Sequence, residues 1–97
     1  MNLIRWSPQA VGDLEAIRDY IARDSPVYAQ LLIEEIVNQV DQLESFASLG
    51  RVVPEIGRED LRELIVGAYR IVYRGFKGAV EVITICRATR LFPSSLL

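Results

Sequence analysis

The side chains able to do chemistry in this 97-residue sequence are carboxylates, Arg, one Lys, Tyr, Ser, Thr and the single Cys86; there is no His. That inventory excludes Ser-His-Asp and Cys-His hydrolase machinery, and one thiol without imidazole assembles no zinc, haem or iron–sulfur ligand set. No metal or cofactor is expected, and a lone cysteine excludes a disulfide framework. Tyr20, Tyr28, Tyr69 and Tyr73 have the chemistry of acids or bases, as do Glu63 and Glu81. Neither glutamate is paired with a second carboxylate at a defined spacing. The densest signal is basic: Arg70, Arg74 and Arg87, with Arg90 and Arg51 nearby, a set suited to bidentate recognition of phosphate or carboxylate.

The charge that surrounds these residues is uneven. Residues 1–48 carry three Arg against eight carboxylates, a balance of −5, whereas residues 49–97 carry seven Arg and Lys77 against five, a balance of +3. A formal net charge of −2 argues against a general nucleic-acid binder, and no sequence-specific nucleic-acid binding is expected. With 51% hydrophobic and 25% charged residues the chain is globular, and its length suits one domain, residues 1–97. Met1–Trp6 lacks a basic segment followed by an apolar one, and no window approaches 18 uncharged apolar residues, so a cytoplasmic protein without membrane contact is expected.

Three groups of elements must position the arginines. Asn2–Trp6 reads as a strand. Ser7-Pro8 and Ser25-Pro26 each read as an N-cap followed by the preferred first helical residue, so two helices joined by a short link form a hairpin. Gly50, Pro54 and Gly57 mark a loop to about Asp60. Leu61–Val66, Tyr69–Arg74 and Ala79–Cys86 then read as a meander of strands, separated by two and four residues. The expected fold class is α+β, in the order β-αα-βββ, with an antiparallel sheet under an α-helical hairpin.

Those loop lengths place Val66 opposite Tyr69, Leu64 opposite Ile71, Tyr73 opposite Val80 and Ile71 opposite Val82, an apolar face for the helices. The other face collects Ile65, Val72, Ile83 and Ile85 among Glu63, Arg70, Arg74, Glu81 and Arg87. A five-residue second loop would instead put Arg70 and Arg87 on opposite faces. Four aliphatic side chains on a charged face call for a cover. Ile65, Val72, Ile83 and Ile85 are therefore the expected binding residues for a partner segment.

Several segments resemble the RelE/ParE superfamily of bacterial toxins, and the resemblance covers nearly the whole chain. They are Trp6-Ser7-Pro8-Gln9-Ala10 with Asp13-Leu14, Asp19-Tyr20-Ile21, Gly50-Arg51-Val52-Val53-Pro54-Glu55, and Arg62-Glu63-Leu64-Ile65 through Tyr69-Arg70-Ile71-Val72-Tyr73-Arg74. The closest look is to the ParE-type branch. The resemblance implies a type II toxin–antitoxin toxin, neutralised by a cognate antitoxin that would lie across Ile65, Val72, Ile83 and Ile85. It implies DNA gyrase as the target, met by Arg51, Arg70, Arg74, Arg87 and Arg90, with no catalytic set. The alternative is a RelE-like ribosome-dependent mRNA endonuclease, with Arg70 matching a phosphate-binding Arg. This sequence lacks that branch's lysines in the first meander strand and a His or Tyr after Cys86. A third reading is a non-toxic relative that only binds antitoxin.

Overall fold

The two Ser-Pro pairs start their helices as their chemistry dictates. Ser7 Oγ accepts the N–H of Ala10 at 3.0 Å and Ser25 Oγ accepts that of Tyr28 at 3.1 Å, with Pro8 and Pro26 in the first turn of each helix. The computed structural model describes residues 1–96. Strand β1 (Leu3–Trp6) leads into helix α1 (Pro8–Ala22), a three-residue link and helix α2 (Pro26–Asp41). After a short 3₁₀ turn come strands β2 (Arg51–Val52), β3 (Leu61–Val66), β4 (Tyr69–Phe76) and β5 (Ala79–Arg87), and a final turn at Ser94–Leu96. Among the described residues no helix is long and apolar enough to cross a membrane.

The protein is α+β, with two helices packed on a five-stranded sheet of order β1-β5-β4-β3-β2. The sheet is mixed and not antiparallel throughout, because β1 joins β5 in parallel (Leu3 beside Ala79, Trp6 beside Val82). The expected 50–60 loop also contains the two-residue β2, paired with β3 through Arg51 and Glu63. Ile36, Val40, Leu43, Ile71, Tyr73, Val80 and Val82 form the main core between the layers, and Leu14, Ile17 and Ile21 of α1 pack half-buried against it.

The register of β3 with β4 follows the Gly67-Ala68 turn, with Val66 opposite Tyr69 and Leu64 opposite Ile71. Between β4 and β5 the expectation fails in two ways. The turn holds two residues, Lys77 and Gly78, so Tyr73 lies opposite Val82 and not Val80. That shift of two leaves the faces unchanged. A β-bulge at Ile83 then adds one residue, pairing Val72 with Thr84 and Ile71 with Ile85, and a one-residue step exchanges the faces. Ile83 therefore faces away from the helices while Ile85 enters the main core.

The start of α1 satisfies the groups that the bulge displaces. Ser7 Oγ donates to the Ile83 carbonyl at 2.7 Å, and the Asp13 carboxylate accepts the Thr84 hydroxyl and the Ile85 N–H.

The face away from the helices has its own cover. Val53, Leu61, Val72, Ile83 and Phe92 form a second core, with Ile56 and Leu96 against it, so the 53–60 loop and the C-terminal segment of the same chain lie over the sheet. At the far edge Tyr73 Oη donates to the Ala47 carbonyl at 2.7 Å and accepts the Gly50 N–H at 2.9 Å. A Cβ on Gly50 would stand 2.6 Å from the Glu63 carbonyl and 2.8 Å from the Tyr73 ring. Gly50→Ala should therefore lower stability by about 2 kcal/mol and the melting temperature by roughly 10 °C, as read by thermal denaturation followed by circular dichroism.

Candidate functional site

Arg70 projects from the start of β4, the central strand of the sheet, toward the second core and is only 3% exposed. A guanidinium in that position requires anionic partners, because an unpaired buried charge is strongly disfavoured. Two are present. Glu55, from the covering loop, accepts from Nη1 at 3.0 Å and from Nη2, a bidentate pair. Glu63, buried on β3, accepts from Nη1 at 3.1 Å. The second oxygen of Glu63 is held by Arg51 at 2.7 Å, and the second oxygen of Glu55 also accepts the Phe92 N–H at 2.9 Å. Two arginines and two glutamates thus form a neutral chain tying β2, β3, β4, the loop and the C-terminal segment together.

The Arg70 guanidinium, and after it the Phe92 N–H, hold the Glu55 carboxyl down to about 2 from an ordinary value of 4.5. Bonding to Glu55 in turn raises the pKa of Arg70 against the opposing effect of burial.

The five arginines expected to form one target face are thereby separated. Arg70 lies inside the ion-pair chain and Arg51 at its exposed end. Arg74 remains on the same face, near Glu81 at 3.6 Å, with its guanidinium over the Phe76 ring. Beyond the bulge, Arg87 emerges on the helix side, over the ring of Tyr69, and shares a groove with Arg90. The groove, about 470 Å³, runs between α1 and the end of β5, with Asp13, Ile17, Tyr20 and Ile85 among its lining.

The four aliphatic residues expected to form an open patch are likewise dispersed. Val72 and Ile83 are buried beneath the chain's own loop and C-terminal segment, and Ile85 is buried in the main core. Ile65 alone is open, at 48% exposure. The expected covering exists, but this chain supplies it. Glu55 and Phe92 were not identified as functional positions in the sequence; the signal for them was the apolar run Val53, Ile56 and Phe92 in segments otherwise rich in Gly, Pro and charge. Among the described residues no group of three or more His, Cys, Asp and Glu could hold a metal ion.

Since Glu55 is depressed, its stabilising bond to Arg70 is fully present above about pH 4.5 and is lost as the pH falls toward 2. Glu55→Gln should cost about 2 kcal/mol near neutral pH. That difference from the parent should shrink through this acid window and vanish below it, as measured by denaturation across pH. Arg70→Ala takes from Glu55 its ion-pair partner and leaves buried Glu63 with Arg51 alone; it should cost about 3–5 kcal/mol, so alanine replacement here tests folding before it tests binding. Arg70→Lys keeps the charge without the paired N–H groups and should recover only part of the loss in urea denaturation.

Comparison with known proteins agrees with this architecture. The family model for the ParE toxin of the parDE type II toxin–antitoxin system matches residues 4–92. Toxin RelE2 of Caulobacter vibrioides is 36% identical over 92 residues, covering 94% of this chain and 100% of that protein. The putative toxin Y4kP of Sinorhizobium fredii is 33% identical over 96 residues, covering 96% and 95%. Among solved structures, a chain of the chromosomal ParDE system from P. aeruginosa superposes with a TM-score of 0.73 at 27% identity, covering 90% of this chain and 96% of that one. The YoeB dimer from Staphylococcus aureus shares the fold, with a TM-score of 0.62 at 14% identity over 92% of this chain and 98% of that one. The chain belongs to the ParE toxin family of type II toxin–antitoxin systems, which implies a cognate antitoxin as its partner.

Proposed function

We propose that this toxin acts by binding and poisoning a protein target, DNA gyrase, and that its antitoxin holds it inactive. The observation that supports this over RNA cleavage is the state of Arg70. A ribose 2′-OH attack needs a base, an acid and a cation free to meet the developing charge on phosphorus. Here the guanidinium is bound by Glu55 and Glu63, whose charge repels phosphate, and Phe92 occupies the space above the sheet. Arg87, the other position suggested for phosphate, lies on the opposite side of the sheet.

The groove between α1 and β5 suits the antitoxin. Its floor of Ile17, Tyr69 and Ile85 takes apolar side chains, and Arg87 and Arg90 at its edge meet acidic ones. Ile65 lies outside this groove, exposed on the opposite face of the sheet in the cross-strand row of Arg70 and Cys86.

Induced expression without antitoxin tests the target. We expect gyrase-dependent double-strand DNA breaks with intact mRNA. Ribosome-dependent mRNA cleavage by the purified protein would overturn the reading.

A further inference from the structure

At the tip of the β4–β5 hairpin, on the face away from the helices, the sheet lies outside the second core. Register fixes what gathers there. Leu3 of β1, Ala79 of β5 and Phe76 of β4 stand side by side in one cross-strand row, and Arg5, Glu81 and Arg74 in the next. Leu3 is 61% and Phe76 49% exposed, so the first row is an open apolar strip. In the second row two guanidiniums flank one carboxylate, and Lys77 in the turn adds a third cation. A shallow groove of about 280 Å³ runs between Arg5, Phe76, Ala79 and Glu81. The Arg74 guanidinium lies over the Phe76 ring, 4.9 Å from its centre, a contact that favours this placement of the two side chains.

Arg5, Arg74 and Lys77 against Glu81, with Asp60 near Arg74 on the β3 side and itself paired with Arg58, leave a local excess of positive charge beside an aromatic ring in a chain of net charge −2. We propose that this tip docks an acidic segment of the toxin's protein target, with an apolar side chain on Phe76 and Leu3 and carboxylates on Arg5 and Arg74. This inference rests on the gyrase reading and names where on the toxin that target is met. The patch favours a protein over a nucleic acid. A strand of phosphates needs a track of cations, whereas here Glu81 interrupts a row of two, and the surrounding chain is acidic. The antitoxin groove opens on the other side of the sheet, so the toxin has separate surfaces for its two partners.

The test compares the parent with Phe76→Ser and with Arg5→Glu/Arg74→Glu; Phe76 and Arg5 are exposed and Arg74 is half-buried. Binding to purified gyrase is measured by surface plasmon resonance, and binding to antitoxin by co-purification. Circular dichroism checks that each variant folds. Both variants should retain antitoxin and lose gyrase affinity by roughly tenfold or more, the size of a central contact at an interface. The parent's association with gyrase should slow as salt is added. Folded variants that bind gyrase as the parent does would overturn the surface while leaving the gyrase reading intact. A parent that does not bind gyrase would overturn that reading and the occupant named here with it. Loss of antitoxin from the variants would reassign the tip to the antitoxin, and binding of single-stranded DNA or RNA that the variants abolish would reassign it to nucleic acid. Either result overturns the proposal.

Discussion

The fold depends on a charge placed where charge is least welcome. Arg70 is on the central strand β4, and every segment lying over that side of the sheet is arranged to neutralise it. Glu55 is the ionic tie of the 53–60 loop to the sheet, beside the apolar contacts of Val53 and Ile56 and the hydrogen bonds from Val53 N–H to the Leu61 carbonyl and from Gly75 N–H to the Asp60 carbonyl. Without the Phe92 N–H on the same carboxylate the C-terminal segment would lose its polar anchor. Stability alone does not require charge here, since buried ion pairs seldom stabilise more than a good hydrophobic contact. What the pairs add is definition: bidentate geometry accepts one placement of the loop, whereas apolar contact accepts many.

This arrangement also engages a cation on the central strand of the sheet. An arginine on this strand, left free, is a ready phosphate ligand; two glutamates within hydrogen-bond reach convert it to a structural cation. The more accessible cations lie at the margins of the sheet, where Arg87 and Arg90 edge one groove and Arg5 another, with Arg74 beside it in the same cross-strand row. Similar surfaces on one fold can thus serve different targets, and the decisive difference lies in which cations remain unpaired.

Much of the architecture was legible because it was written locally. Ser-Pro pairs mark both helix starts, and Gly67-Ala68 fixes the register of β3 with β4. The bulge was not legible. Val82, Ile83, Thr84 and Ile85 form a β-branched run with no Gly or Pro, and its irregularity is stabilised by Ser7 and Asp13, more than 70 residues away. From that single inserted residue follow the separation of Arg87 from Arg70 and the burial of Ile85 in the main core. The ion-pair chain was hidden for a similar reason. An Arg alternating with apolar residues reads as an exposed strand position, and nothing local reveals that a loop 15 residues earlier supplies its counter-ion. Sequence did register that both faces of β5 are apolar; it carried no sign that the covering belonged to the same chain.

The parallel pairing of β1 with β5 has a consequence for synthesis. Leu3–Trp6, made before every other strand of the sheet, can join it only after Ala79–Val82 have been made, and Phe92 must follow before the second core closes. Such long-range pairing delays completion of the native structure until nearly the whole chain is available. A nascent or truncated toxin therefore lacks both the groove between α1 and β5 and the Arg5–Arg74 row, since each requires β5 in place. The two surfaces come into being together, when β5 pairs, so a chain that carries one carries the other.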